Sequence, residues 1–393
     1  MNIAVINEFF PPKVTGGTEI FLSELSKHLK SRGFGITVIT TEQGQKENHD
    51  FKVYKIKSSP VHFSHRYQFH GITIPWMFFN QCLKKKLAAI YKKEGIDMLY
   101  VNNMFHLSFA PVQNSLPFVL DVHDYWPLCF SKDLYYNDRS ICSGPNDLKC
   151  SFCLSGKSRM PMMFDLPMLS LERYWKRRLL LMSEKTICHS NFVSSILKSQ
   201  GYENGIIPYP YLGPFLLHDH GIGKEFKILF AGRVERRKGA HLLLDVAKKL
   251  HGRMNFRIDV IGDGPMKNIL DRKDLNIHVH GFLGNERFRY FREADCLLAP
   301  SLWPEPFGIV AVEAMAFGVP VITLDNGGLA EVVRENETGI ITTEERMAES
   351  ILELSENKDL SEKIRKNGEK NIKKYDKERI FKEYEKIFTS VME

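Results

Sequence analysis

Nowhere in the 393 residues is there an uninterrupted apolar run near eighteen residues, so no segment is expected to cross a bilayer as a helix. The opening MNIAVINEFFPP has neither a basic leader nor a small-residue cleavage site, which argues against a secretory signal and for the cytoplasm. Internal repeats and low-complexity tracts are missing too, so a solenoid is not expected. No stripe interleaves aromatics with base-reading polar residues, and a nucleic-acid partner is not expected.

What is present is ordinary globular material: 43% hydrophobic and 26% charged residues. The length favours two or three domains. Charge is uneven. Residues 1–200 hold 25 Lys plus Arg against 16 Asp plus Glu, and the remainder 29 against 31, so the net +7 belongs to the first half. One basic and one near-neutral half suggest different partners, an anionic one for the first.

NIAVINEFF reads as a buried strand. A helix-period pattern follows through Ile20, Phe21, Leu25 and Leu29, and then the strand ITVITT (36–41), which makes a βαβ unit. Strands are expected at 98–103, 118–124 and 185–191, and helices around 77–93, 166–184 and 192–199. The stretch 209–223, rich in proline, glycine and aromatics, reads as a connection. The alternation then restarts at FKILFAG (226–232) and continues through 256–264, 277–282, 296–301, 319–324 and 338–342. The fold class is therefore α/β, with two Rossmann-like doubly wound domains. Ligands in such sheets sit at the carboxyl ends of strands.

Two loops carry chemistry. In AGRVERRKGAHLLL, Arg233 and Lys238 follow a strand and precede a helix, so two cations and helix N-terminal amides together suit a diphosphate. The bland reading is solvated surface. In LWPEPFGIVAVEAMAFGVPVI, Glu305 falls in the loop and Glu313 about a turn and a half into the following helix. Sugar hydroxyls donate well to carboxylates. The alternative is one dipole-favoured helix carboxylate and one surface glutamate.

Gly-Arg-x4-Lys-Gly followed by Glu-Pro-Phe-Gly-x4-Glu-Ala-Met-Ala resembles the retaining glycosyltransferases of family 4, which have the GT-B fold. So do Thr15-Gly16-Gly17-Thr18-Glu19, His123-Asp124, Ile261-Gly262-Asp263-Gly264, His280-Gly281-Phe282 and Gly327-Gly328-Leu329-Ala330-Glu331. The resemblance spans nearly the whole chain. It implies two domains (1–208 for the acceptor, 209–375 for the donor) facing across a cleft, and a final helix (376–393) packing back on the first. It implies Arg233 and Lys238 on the donor diphosphate, Glu313 on the ribose and Glu305 on the transferred sugar. Gly16 and Gly17 would meet the phosphates, Gly262 and Phe282 would lie near the base, and Phe307, Gly308 and Ile309 would supply amides. His123 would act near the reacting sugar, as a catalytic group beside Glu305, Arg233 and Lys238; otherwise it is a histidine packed at a strand end. The donor would be a UDP- or GDP-sugar and the reaction hexosyl transfer to a glycan or lipid-linked glycan, with no obligatory metal, and no Asp-x-Asp motif argues otherwise. The rival is a GT-B scaffold or glycan-binding protein that has lost catalysis.

Four of the seven cysteines, Cys129, Cys142, Cys150 and Cys153, fall in one segment and match a closed structural zinc site. Free thiols or disulfides are the alternatives. The run Arg173-Tyr174-Trp175-Lys176-Arg177-Arg178, with Lys84-Lys85-Lys86 and Lys92-Lys93, suits peripheral contact with an anionic membrane on its cytoplasmic face, or else is solvated surface. The histidines at 62, 65, 70, 218 and 220 are read as loop residues.

Overall fold

The computed structural model describes residues 1–14, 16–41, 49–56, 80–104, 109–136, 140–144, 146–155, 162–214 and 225–393. Thr15, the five loop histidines just named and most of the 209–223 connection lie outside them. The chain divides into two compact units. The first is Met1–His189 with Val193–Ile207 and Phe381–Glu393, and the second is Ser190–Phe192 with Pro208–Ile380.

In the first unit the strands are β1 (Asn2–Ile6), β2 (Gly35–Thr41), β3 (Lys52–Ile56), β4 (Met98–Val101), β5 (Phe118–Val122), the short pair β6 (Tyr135–Tyr136) and β7 (Ser140–Ile141), β8 (Lys185–Cys188) and β9 (Gly205–Ile206). Seven of them form one parallel sheet in the order β3-β2-β1-β4-β5-β8-β9. β4 and β5 are buried throughout, as continuous apolar strands of a sheet covered on both faces must be. The helix Gly17–Ser31 lays Phe21, Leu22, Leu25 and Leu29 against the unit's core. Its first turn is closed where Gly16 N donates to Glu19 Oε2 at 2.8 Å. The chain runs outward from β1 to β3 and returns to the other side of β1 at β4, so the strand order reverses between β1 and β4.

The second unit holds β10 (Phe226–Ala231), β11 (Phe256–Ile261), β12 (Ile277–Gly281), β13 (Cys296–Ala299), β14 (Val321–Leu324) and β15 (Gly339–Thr342), all parallel, in the order β12-β11-β10-β13-β14-β15. Leu242, Leu243, Val246, Ala247 and Leu250 of the helix Leu242–Leu250 pack with Ile228, Phe230, Ile258 and Val260 of the sheet. Here the order reverses between β10 and β13. Crevices at the carboxyl ends of strands flanking such a reversal are where ligands bind.

The final helix runs Lys377–Met392, with its residues from Phe381 on in the first unit. Among the described residues no helix is long and apolar enough to cross a membrane.

Candidate functional sites

In the second unit the loops after β10 and β13 meet at the reversal. Lys238, behind the β10 loop, donates to Glu305 Oε1 at 2.6 Å, and Ser301 Oγ donates to the same oxygen. The Lys238 ammonium also lies 5.3 Å from the centre of the Trp303 ring. The loop carrying Glu305 is fixed by its backbone: Gly328 N donates to Glu305 O at 2.6 Å, and Asn326 Nδ2 donates to Ser301 O and Leu302 O at 3.1 and 2.7 Å. Glu305 is buried, which suits a carboxylate held for one purpose rather than a solvated one.

Gly308 ends this loop with φ 104° and caps the helix Ile309–Ala316; a Cβ there would sit 2.6 Å from Leu329 Cδ1. Glu313 lies in that helix, where Arg287 Nη2 donates to its Oε1 at 2.6 Å. Arg287 also donates to Gly284 O and lies over the Phe288 ring. Arg233 stands mostly exposed at the mouth of the β10 loop, 4.0 Å from Glu235 Oε1. Gly262 follows β11 so closely against β10 that a Cβ would come 1.8 Å from Gly232 O. Phe282, just past β12, is 73% exposed. Phe307 is buried against Tyr209 and Tyr375, so only its backbone can face a ligand.

In the first unit three strand ends converge. Asn102, His123 and His189 each immediately follow a strand (β4, β5 and β8), and Asp121 is the last but one residue of β5. His123 Nε2 is 2.6 Å from Asn102 Oδ1, and His123 Nδ1 is 3.0 Å from His189 Nε2. Asp121 Oδ2 accepts from Tyr100 and, at 2.9 Å, from Tyr384 of the final helix. Burial pushes His123 down to about 3, against the pull of the Asp121 carboxylate, so the ring is neutral. For Asp121 burial acts upward, but His123 and His189 outweigh it and hold the carboxyl below the usual range. Both His123 ring nitrogens are thus engaged by protein groups. Gly16 and Gly17 lie in the same unit, at the start of the helix after β1.

Comparison with known proteins decides the family. Residues 15–208 match the model of Glycosyltransferase Family 4, and residues 216–371 that of Glycosyl transferases group 1. The chain belongs to glycosyltransferase family 4. An uncharacterized glycosyltransferase of Methanocaldococcus jannaschii is 25% identical over 367 residues, which is 86% of this chain and 84% of that one. A D-inositol 3-phosphate glycosyltransferase of an Arthrobacter species is 31% identical over 137 residues, about a third of either chain. Among solved structures, a sucrose-phosphate synthase from Thermosynechococcus elongatus superposes with a TM-score of 0.76 at 18% identity, covering 100% of this chain and 99% of the other. An Anabaena protein in complex with UDP and glucose gives 0.69 at 18% identity, with 99% of both chains covered. These likenesses establish the GT-B fold. The protein is a transferase for nucleotide-linked sugars.

The cysteine-containing insertion of this glycosyltransferase is ordered by a small hairpin, β6–β7, and a helix, Asp147–Ser155. Cys150 packs on Phe130 and Leu169. Burial pushes its thiol up to about 11, and Cys129, Cys142 and Cys153 are near enough to push the same way. Burial raises Cys129 as well, then Asp133, while the backbone N–H groups of Leu134, Asp133 and Ser131 pull it down. Tetrahedral zinc with Zn–S near 2.3 Å needs sulfurs about 3.8 Å apart. Among the described residues, the one group of three or more His, Cys, Asp or Glu side chains within 4.8 Å of one another is Asp121, His123 and His189, so no three of the four thiols lie that close together.

One expectation is corrected. Lys176 does not face a membrane. It is buried; its ammonium forms an ion pair with Glu172 Oε1 at 2.7 Å, donates to Cys129 O at 3.4 Å and lies over the Phe130 ring, as part of the insertion's base. Arg173, Arg177 and Arg178 of the same helix remain exposed, with Tyr174, Leu181 and Met182. The partners Arg287 and Trp303, and the group Asp121, Asn102 and His189, carry no signal in the sequence that singles them out.

Proposed function

We propose that this glycosyltransferase is a retaining enzyme that moves a hexose from a UDP- or GDP-linked sugar to a hydroxyl of a glycan or lipid-linked glycan. The observation that carries this reading is the Lys238–Glu305 pair at the strand reversal of the second unit. A donor diphosphate competes for Lys238, and the released Glu305 then accepts from hydroxyls of the sugar being transferred. Glu313 likewise exchanges Arg287 for the ribose hydroxyls. The exposed Phe282 is available to the base, and Gly308 and Ile309 offer amides at a helix N-terminus. UDP is favoured by the Anabaena neighbour, whose complexes contain UDP and glucose.

In this reading Arg233 and Lys238 stabilise the charge on the departing diphosphate, so no protonated acid is needed. As the bond from the anomeric carbon to the diphosphate breaks, the acceptor oxygen bonds to the same face of that carbon and its proton passes to the departing phosphate oxygen. His123 offers the sugar a neutral, fixed ring edge and takes no part in the proton transfer. The cysteine quartet is the part of the chain that would hold a structural zinc. Arg173, Arg177 and Arg178 bring the enzyme to an anionic membrane at its cytoplasmic face, which sedimentation with anionic vesicles checks by its fall with salt.

The test is transfer from UDP- and GDP-hexoses with NMR of the product anomer. Retained configuration with one nucleotide preferred supports the reading; inverted configuration, or no turnover of either donor, contradicts it.

A further inference from the structure

The hydrogen-bond pattern around His123 requires more protons than neutral side chains supply. Asn102 fixes the count. Its amide nitrogen donates to Ile6 O and Tyr100 O, each at 3.3 Å, which leaves Oδ1 facing His123 Nε2. That ring nitrogen therefore carries the hydrogen, and in a neutral ring Nδ1 is a bare acceptor. His189 Nε2, 3.0 Å from it, must donate. His189 Nδ1 is 2.8 Å from Ile207 O, a carbonyl that can only accept, so this nitrogen donates too. Both ring nitrogens of His189 are protonated.

The compensating charge is beside it. Asp121 Oδ1 lies 3.1 Å from His189 Nε2 and, among the described residues, has no hydrogen-bond partner. Asp121 is fully buried, and a buried carboxylate oxygen without a hydrogen bond is costly unless a cation adjoins it. The other carboxylate oxygen takes the Tyr100 and Tyr384 hydroxyls, and the Phe21 ring closes the cluster against both imidazoles.

We infer that His189 is a buried imidazolium paired with the Asp121 carboxylate, and that by donating to Nδ1 it positions the neutral His123 ring. His189 is a positioning residue: it acts through His123. That half of the inference rests on the proposed role of His123 at the sugar, whereas the ion pair rests on the three N–H hydrogens the two rings share and on the closer approach of His189 to Asp121, 3.1 Å against 3.7 Å for His123.

The experiment is NMR of the full-length protein with ring-15N histidine at pH 7, assigned by His189→Gln. The expected spectrum has one histidine protonated on both ring nitrogens, missing from the variant, and His123 as the Nε2–H tautomer. A His189 with one bare nitrogen overturns the ion pair. Thermal midpoints of His189→Gln, Asp121→Asn and the double variant give an independent check. Each single change should lower the midpoint more than the double does, and simple additivity of the two also overturns the pair. Folded His189→Gln should lose about tenfold in kcat with donor KM within about twofold, as His123 loses its single tautomer. Unchanged kcat with a disordered His123 tautomer overturns the positioning role. Full activity in His123→Ala would instead remove the proposed role of His123 and leave the ion pair standing.

Discussion

Lys238 Nζ and Glu305 Oε1 lie 2.6 Å apart, although 67 residues separate them in the chain. Their loops leave β10 and β13, neighbours in the sheet but not in sequence, and the pair forms because the strand order reverses there. A lysine already paired with a carboxylate is held in place, and a diphosphate can displace one anion with another.

The approach of the β10 and β11 loops sets a stability expectation. Gly262 has φ 137°, and a Cβ would meet the Gly232 carbonyl oxygen at 1.8 Å. Gly201 also has a positive φ, 83°, but nothing lies within 4 Å of its Cβ position. Gly262→Ala should therefore cost about 2 kcal/mol or more beyond Gly201→Ala, read as the difference in denaturant unfolding free energy. Equal losses would mean that the two loops are not packed as described.

A second expectation concerns acid. Burial lowers His123 from 6.5 to about 3, so between these values the unfolded chain binds a proton that the folded protein refuses. The stability from this site is fully present above pH 6.5 and is lost as pH falls toward 3. One such proton contributes a slope of about 1.4 kcal/mol per pH unit at most. The fall in unfolding free energy between pH 6.5 and 4.5 should be shallower in His123→Asn than in the wild type. Parallel curves would rule out a buried, neutral His123.

For the insertion, the expectation is about one equivalent of zinc per chain, lost on Cys150→Ser or Cys153→Ser and released with proton uptake below about pH 5. Elemental analysis and thiol titration of the native protein check it. Four freely titrating thiols without metal would remove the zinc proposal.

The fold was legible where its physics is local. Buried parallel strands such as FVLDV are dense apolar runs, and Leu242, Leu243, Val246, Ala247 and Leu250 keep helical spacing. The edge strand β3, KVYKI, is half lysine-flanked, and β9 has two residues, so neither leaves such a signal. In the second unit Lys238 and Glu305 stood out because each follows a strand. Their supports did not: Arg287 meets Glu313 across 26 residues, and no spacing announces that. Asp121 looked like one polar residue in a strand, and His189 like one histidine in KTICHSN, because only the adjacency of β4, β5 and β8 brings their ends together. Lys176 misled for the opposite reason. It sits among arginines, yet Glu172 four residues earlier puts the two on the buried face of the same helix.

The central claim is that the second unit binds a nucleotide-linked sugar through its diphosphate and ribose, and calorimetric titration of UDP and GDP into wild type, Lys238→Ala and Glu313→Ala tests it most directly. The account predicts that one nucleotide binds, with affinity weakened roughly ten- to a hundredfold in each variant, the loss of one charge-assisted bond, and with turnover falling at least as far. Wild-type affinity retained in both folded variants would contradict it.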